Sequence, residues 1–283
     1  MLIFLNGKFV PEERAVVSIF DRGFLYGDGL FETLRISHGQ PFRWTQHMER
    51  LQHGAEFLKI KLPFPPAALR EFAAKLIAKN KMPESLLRLT LSRGIGERGY
   101  SPKGATRPTL AMTLHPAPGA PASGTARWKL ITASLRLPVA DPLARFKTAN
   151  KLAQVLARAH ADEAHADEAL LLNTAGHVAE TTSGNIFWTE RGAVCTPPLD
   201  TGVLPGVTRA VVLEICRKLD LPAREKKVFP SRLAKADGVF VSLTSRGIVE
   251  VAALDGKKVS ASPLVKKLRA AYEALVEKET GLT

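Results

Sequence analysis

Short runs of alternating or continuous apolar residues predict strands in the first part of the chain, and two longer amphipathic runs predict helices. The strands fall at residues 2–10 (a hairpin about Asn6-Gly7), 31–36, 86–91 and 109–114. The helices fall at residues 45–58 and 66–80. This order, with hairpins as well as helices, predicts an α+β domain over residues 1–114.

A Pro- and Gly-rich stretch over residues 115–125 separates this pattern from a second one, and its composition is typical of an interdomain linker. Residues 126–283 then form a larger C-terminal domain. Its predicted strands lie at 128–133, 169–172, 177–180, 193–196 and 238–243. Its predicted helices lie at 210–219, at 263–279 and after Lys147, where Leu152, Val155, Leu156 and Ala159 share one face.

Length and composition are those of an ordinary globular protein. The chain has 283 residues, of which 45% are hydrophobic and 24% are charged. It lacks an apolar run of the ~20 residues that span a bilayer, and its N-terminus lacks the basic lead of a signal peptide. With two cysteines, Cys195 and Cys216, a disulfide framework is not expected. We therefore expect a cytoplasmic protein without a membrane partner.

The net charge of +13 raises the question of nucleic-acid binding. The basic residues are scattered along the chain and are not interleaved with aromatic residues. We expect no nucleic-acid partner. A positive field instead favours a small anionic substrate and a cofactor that carries phosphate.

Several residues suggest chemistry, although each has an ordinary structural explanation. Lys147 lies at an element boundary and Glu180 at a strand end among small residues, but most lysines are solvated surface side chains. Arg50 lies beside the apolar face of a helix, where an exposed arginine is the simpler interpretation. The turn Leu204-Pro205-Gly206-Val207-Thr208 precedes a helix and offers backbone N–H groups to an anion, or it is a simple helix cap.

Residues 92–101, SRGIGERGYS, combine two arginines, a tyrosine and three glycines after a strand. This composition predicts a mobile loop that presents hydrogen-bond donors to an anion, and a plain polar loop is the alternative.

Taken together, these strings resemble those of the class IV aminotransferases, the pyridoxal 5'-phosphate enzymes of fold type IV. The resemblance rests on DRGFLYGDGLFET, HMERL, SRGIGERGYS, FKTANKL and LPGVTR, and it extends over nearly the whole chain. It implies two α/β domains with the active site in the interdomain cleft, a pyridoxal 5'-phosphate cofactor, no metal ion, and a homodimer. The loop SRGIGERGYS and the string FKTANKLAQVLARAH are most similar to the 4-amino-4-deoxychorismate lyases of this family.

The resemblance also implies roles for individual residues. It makes Lys147 the catalytic amine that binds the cofactor, with Lys151 as a rival, and Glu180 the carboxylate that keeps the cofactor ring nitrogen protonated. It implies that the cofactor phosphate and ring are held by Arg50, Leu204, Val207, Thr208 and Thr244. It implies a substrate-binding set drawn from Phe31, Arg98, Tyr100 and Arg246.

Three functions remain open on the sequence alone. The first is a lyase that eliminates pyruvate from 4-amino-4-deoxychorismate to give 4-aminobenzoate. The second is an aminotransferase for D-amino acids or branched-chain amino acids, which would use the same lysine, Lys147. The third is a catalytically silent binding protein on the same fold. Two departures from the family pattern are Arg246 and Glu250, so Arg246 is predicted either to clamp a carboxylate or to pair with Glu250 at the surface.

Overall fold

A computed structural model describes residues 1–119 and 127–281. The predicted linker lies partly outside this range, because residues 120–125 are not among those described. The described residues form two compact units. Unit 1 contains residues 1–117, 146–150 and 276–281, and unit 2 contains residues 118–119, 127–145 and 151–275. Lys147 therefore belongs to the unit that holds the N-terminal residues, although the sequence pattern placed it in the C-terminal domain.

Unit 1 is built on an antiparallel sheet of six strands in the order β2-β1-β6-β5-β3-β4. Its strands are β1 Leu2–Leu5, β2 Lys8–Pro11, β3 Gly29–Ser37, β4 Gln40–Pro41, β5 Ser85–Ser92 and β6 Thr109–Pro116. Its helices are α1 Arg22–Tyr26, α2 Trp44–Leu58 and α3 Pro66–Asn80. The end of β6 includes the first two residues of the predicted linker, because they pair with the beginning of β5.

The core of unit 1 lies between this sheet and helices α2 and α3. Alternate residues of β5 and β6, such as Leu87, Leu89 and Met112, are fully buried against apolar residues of α2 and α3, such as Leu51 and Leu76. The alternating apolar residues of β5 and β6 thus form the buried face of the sheet.

Unit 2 is built on a mixed sheet of nine strands. Its strands are β7 Arg127–Leu137, β8 Glu168–Asn173, β9 Val178–Thr181, β10 Asn185–Glu190, β11 Ala193–Thr196, β12 Ala223–Glu225, β13 Gly238–Leu243, β14 Gly247–Leu254 and β15 Lys257–Lys258. Its helices are α4 Leu152–Glu163, α5 Val207–Lys218, α6 Pro230–Leu233 and α7 Pro263–Thr280, the last of which ends among the residues of unit 1. Strand β9 pairs with both β8 and β10, so that six of the strands close into a ring, β10-β13-β14-β7-β8-β9.

Helix α4 buries its alanine side and exposes the side that carries its larger apolar residues. Ala157 and Ala161 are buried, whereas Leu152, Val155 and Leu156 are 66%, 60% and 53% exposed. The predicted apolar residues thus do share one face of the helix, but this face is exposed to solvent in the single chain.

None of the helices in the described part of the chain is both long and apolar enough to span a lipid bilayer.

Candidate active site

Lys147 is held by a short antiparallel pairing with the beginning of β3. The Phe31 amide donates to the Lys147 carbonyl (2.9 Å), and the Ala149 amide donates to the Gly29 carbonyl (2.8 Å). These two bonds fix the backbone on both sides of the lysine. The Lys147 Nζ lies 4.7 Å from the centroid of the Phe31 ring, which is within the range of a cation–π contact. Two of the predicted site residues, Lys147 and Phe31, are therefore neighbours.

Arg88 shares the Phe31 ring with Lys147. Its guanidinium carbon lies 4.0 Å from the ring centroid, and burial lowers the pKa of this arginine. Arg88 is opposite Thr33 and Phe31 is opposite Thr90, so the two side chains are diagonal neighbours on adjacent strands. Across residues 1–119 and 127–281, no carboxylate forms an ion pair with Arg88. A half-buried cation in this position suits an anionic group of a ligand, and the sequence analysis did not identify it.

Arg50 is part of a buried cluster with Glu32 and His47. The Nε and one terminal nitrogen of Arg50 donate to the two carboxylate oxygens of Glu32 (2.8 and 2.7 Å). The His47 Nδ1 lies 2.7 Å from the second of these oxygens. The side chains of Glu32, His47 and Arg50 are only 1%, 2% and 10% exposed. The interpretation of Arg50 as a solvated surface side chain is therefore wrong.

The charges of this cluster balance one another. Burial by itself would raise the pKa of Glu32, but the charge of Arg50 and the hydrogen bonds from His47 and Arg50 outweigh it and lower the pKa to about 2. Burial lowers the pKa of His47, and the positive charges of Arg50 and Lys147 act in the same direction. We therefore assign a neutral His47 that donates its Nδ1–H to an ionised Glu32. The guanidinium of Arg50 is thereby held in one orientation.

The protein is expected to lose stability on acidification because of this cluster. The unfolded chain binds protons at His47 below about pH 6.5 and at Glu32 below about pH 4.5, whereas the folded chain binds them only at lower pH. Stability contributed by the cluster is thus present at neutral pH and is lost as the pH falls through these values. Urea unfolding between pH 7.5 and 4.5 measures this slope. The variant His47→Gln should be less stable but should show a shallower pH slope, whereas the exposed His160→Gln should leave the slope unchanged.

In unit 2, Glu180 and Asn185 hold the backbone of Leu204 from both sides. The Leu204 amide donates to Glu180 Oε2 (3.0 Å), and Asn185 Nδ2 donates to the Leu204 carbonyl (2.9 Å). Glu180 and Asn185 are paired directly across β9 and β10. The closure of the strand ring therefore places the predicted ring-nitrogen partner next to the residue predicted to lie against the cofactor ring. Asn185 was not predicted as a site residue.

Helix α5 begins at Val207, three residues before the predicted start, and its N-terminus faces the same turn. The N-cap residue, Gly206, has no side chain to bond the first amides of the helix. A Cβ on Gly206 would lie 2.1 Å from Asn185 Oδ1, so any larger residue would displace the Asn185 side chain. Val207 and Thr208 are 7% and 6% exposed. Their amides, with the positive end of the helix dipole, suit a phosphate group.

The remaining predicted residues lie elsewhere. Thr244 follows β13 and is half-buried, while Arg98, Tyr100 and Arg246 are exposed. Of the two alternatives for Arg246, the ion pair with Glu250 is not formed. Glu250 lies opposite Arg127 in the parallel pairing of β14 with β7, and it forms its ion pair there (3.1 Å).

The two arginines of the loop 92–101 have different environments. Arg98 is exposed, but Arg93 is 8% exposed and bonds both oxygens of Asp28 (2.7 and 3.0 Å). Arg93 also donates to the carbonyls of Leu58 and Lys59 at the end of α2 (2.8 and 3.1 Å). The expectation that both arginines are available to an anion is therefore wrong for Arg93, which is structural.

The site residues form one group in each unit. Unit 1 brings together residues with a net positive charge. They are the predicted Phe31, Arg50 and Lys147 and the unpredicted Arg88, Glu32 and His47. Unit 2 brings together Glu180, Leu204, Val207 and Thr208 at a helix N-terminus. An amine, a carboxylate and a set of phosphate donors are the groups that a pyridoxal-phosphate enzyme must supply.

Known proteins with this architecture have this cofactor chemistry. The family described as amino-transferase class IV matches residues 29–254. A provisionally named branched-chain-amino-acid aminotransferase of Methanocaldococcus jannaschii is 35% identical over 277 residues, which are 96% of each chain. Among solved structures, the branched-chain amino acid aminotransferase of Escherichia coli is 27% identical with a TM-score of 0.91, covering 99% of this chain and 95% of that one. The 4-amino-4-deoxychorismate lyase of Pseudomonas aeruginosa is 32% identical with a TM-score of 0.84, covering 99% and 100%.

The fold is thus that of the fold type IV pyridoxal-phosphate enzymes. The chain belongs to the class IV aminotransferase family, and it is a pyridoxal-phosphate-dependent enzyme. The donor set fits the cofactor, because the glycine-capped N-terminus of α5 offers amides without a competing side chain.

Proposed function

We propose that this enzyme is a 4-amino-4-deoxychorismate lyase, which releases pyruvate and 4-aminobenzoate. The loop 92–101 carries the proposal, because its sequence resembles that of the lyases and two of its residues, Arg93 and Gly94, constrain the beginning of its backbone. Gly94 has a φ of 84°, and a Cβ there would lie 1.8 Å from the Arg107 carbonyl oxygen. Arg93 ties the beginning of the loop to Asp28. A chain that shares these residues is expected to share the loop conformation.

The substrate fits the charges near Lys147. Its two products each carry one carboxylate, so the substrate is a dianion with an amino group. Arg88 offers a half-buried cation beside Phe31, and Arg98 is an exposed cation in the loop. Binding an anion at Arg88 would also compensate a charge that has no acidic partner among the described residues.

Each residue of the machinery has a proposed task. When bound, the cofactor withdraws electrons from the substrate carbon next to nitrogen. Lys147 would hold the cofactor and remove the proton from that carbon, and enolpyruvate would then leave and take up a proton to become pyruvate. Glu180, held by the Leu204 amide, keeps the cofactor ring nitrogen protonated. The phosphate ligands that we propose are the Arg50 side chain, the hydroxyl groups of Thr208 and Thr244, and the amides of Val207 and Thr208.

An aminotransferase is the second candidate. A single half-buried arginine next to the amine also suits the side-chain carboxylate of an amino-acid donor such as glutamate. In this reaction Lys147 would move the proton away from the substrate carbon, water would release the oxo acid, and the amino group would stay with the cofactor. The machinery of unit 2 is the same in both reactions, so the substrate side decides between them.

The deciding experiment is incubation of the purified enzyme with 4-amino-4-deoxychorismate and, separately, with D- and L-amino acids. Release of equal amounts of pyruvate and 4-aminobenzoate, without an added oxo acid, supports the lyase. Formation of an oxo acid and an aminated cofactor from one amino-acid enantiomer, with no 4-aminobenzoate, overturns it in favour of the aminotransferase. No product from either set overturns both.

Arg88→Met is expected to weaken binding of a dicarboxylate substrate about 10- to 100-fold, because one charge-assisted contact is lost. Cofactor content should not change, since Arg88 has no proposed contact with the cofactor. The KM values of a dicarboxylate and a monocarboxylate substrate provide the comparison. Equal effects on both would show that Arg88 supports only the Phe31 ring.

We also propose a homodimer. Residues 16–25 expose an apolar stretch in unit 1, including Val16 (77%), Ile19 (64%), Phe20 (60%) and Phe24 (73%). The exposed face of α4 adds Leu152, Val155 and Leu156 in unit 2. Exposed apolar surfaces of this kind are typical of protein interfaces. Sedimentation equilibrium measures the mass, and a monomer at micromolar concentration would contradict the proposal.

A further inference from the structure

Arg22 bonds the backbone of the loop that carries Arg98 and Tyr100. Its terminal nitrogens donate to three consecutive carbonyl oxygens, those of Gly99 (2.8 Å), Tyr100 (3.1 Å) and Ser101 (3.1 Å). Residues 99–101 are in neither a helix nor a strand. One side chain therefore fixes a part of the loop that has no regular secondary structure.

The burial of Arg22 is compensated by Asp28. Arg22 is 3% exposed, and its Nε donates to Asp28 Oδ2 (2.9 Å). Burial would raise the pKa of Asp28, but hydrogen bonds from Arg93 and Arg22 outweigh it and lower the pKa. The carboxylate thus stays ionised between the two arginines. Only a planar guanidinium can bond a carboxylate and three carbonyl oxygens at once, so lysine is not an equivalent residue here.

Tyr26 supports the same part of the loop. Its hydroxyl accepts a hydrogen bond from the Gly99 amide (3.1 Å), and its ring lies 5.0 Å from the Arg22 guanidinium. The rings of Tyr26 and Tyr100 are in edge contact, with centroids 5.6 Å apart. Gly99 has a φ of 107°, which allows this bend. Tyr100 remains 88% exposed, so its backbone is fixed while its side chain stays accessible.

The same contacts continue to the backbone around Lys147. Helix α1, which carries Arg22 and Tyr26, is capped by Gly27, where an added Cβ would lie 3.3 Å from the Cα of Asn150. Two residues later, the Gly29 carbonyl accepts from the Ala149 amide. The loop, α1 and the lysine segment are therefore joined by direct contacts within unit 1.

We propose that Arg22 is a positioning residue that determines how the enzyme binds its substrate. It does not touch the substrate; it holds the carbonyls of residues 99–101 so that Arg98 and Tyr100 are presented in one arrangement. The inference deepens the proposed function, because it rests on the substrate-binding role of these two residues.

The test uses Arg22→Lys, with Arg70→Lys on the exposed side of α3 as the matched control. Arg22→Lys is expected to raise the KM for 4-amino-4-deoxychorismate about 10- to 100-fold, because several charge-assisted bonds are lost. The kcat should fall less than about threefold and the cofactor content should not change, since the chemistry does not use Arg22. Trypsin should cleave after Arg98 about tenfold faster, because the loop opens more often. Arg70→Lys should change none of these values.

The milder variant Tyr26→Phe removes only the bond to Gly99, and it keeps the test valid if Arg22→Lys does not fold. Its KM and its cleavage rate should each rise about threefold. Faster cleavage with an unchanged KM would overturn the inference, and so would a raised KM without faster cleavage. If the wild-type enzyme does not act on 4-amino-4-deoxychorismate, the proposed function fails, and the KM is measured with the amino acid that it accepts. An unchanged KM for that amino acid in both variants would overturn the inference separately.

Discussion

Replacing Lys147 by alanine is expected to lower kcat about 10³-fold or more, because the chain loses the amine that we propose both to bind the cofactor and to move the proton. The fold should be retained, since Lys147 is bonded to β3 through its backbone, with Phe31 donating to its carbonyl. Steady-state turnover gives the loss. Borohydride reduction of the wild-type holoenzyme, followed by peptide mass spectrometry, identifies the lysine that carries the cofactor.

Lys151→Ala is the control, because Lys151 is the other candidate amine and lies four residues after Lys147, at the start of α4. It forms the N-cap of α4 and belongs to unit 2, whereas Lys147 lies over the Phe31 ring in unit 1. We expect Lys151→Ala to keep turnover within about threefold of the wild type, because the chemistry does not use this amine. Reductive labelling at Lys151 would contradict the assignment.

Replacing Glu32 by alanine is expected to cost about 3–5 kcal/mol of unfolding free energy, because it leaves the charge of Arg50 buried without its partner. The cavity and the lost hydrogen bond to His47 act in the same direction. Cofactor affinity should also fall about tenfold or more, since Arg50 is no longer held in one orientation. Urea unfolding of the apoenzyme measures the first effect, and titration with pyridoxal 5'-phosphate measures the second.

Glu214→Ala is a suitable comparison, because Glu214 forms an ion pair with Lys218 one turn further along α5, where Lys218 is 59% exposed. Such surface ion pairs contribute about 0.3–0.5 kcal/mol to the free energy of unfolding. The double variant of Glu32 and Arg50 should be less destabilised than the sum of the single variants. A cost for Glu32→Ala as small as that for Glu214→Ala would mean that Arg50 finds water or another partner.

Local sequence patterns were sufficient to predict most of the helices and strands. The helix over Pro66–Asn80 and the strand Gly238–Leu243 have the predicted bounds, because proline at a helix start and a continuous apolar run are local signals. Helix α5 begins earlier than predicted, because Gly206 has the extended conformation of an N-cap residue. The space for a side chain at Gly206 is limited by Asn185, which is distant in sequence.

The residues that the sequence analysis missed are those whose meaning depends on pairing between distant strands. Arg88 has the pattern of an outward polar residue in an alternating strand, and only the register of β5 with β3 places it on Phe31. Glu32 shows no sign of its buried ion pair for the same reason. The resemblance to the family identified Arg50 but did not identify what orients it.

Lys147 has a consequence for recombination between relatives. The five residues 146–150 belong to unit 1, although the residues on both sides belong to unit 2. A chimera that exchanges residues 1–117 would therefore combine β3 from one parent with the lysine segment of the other. Such exchanges should preserve activity only when residue 30 of one parent can still pair with residue 148 of the other, as Leu30 pairs with Thr148 here. The proposed catalytic amine is inherited with one part of the gene, and the strand that supports it is inherited with the other.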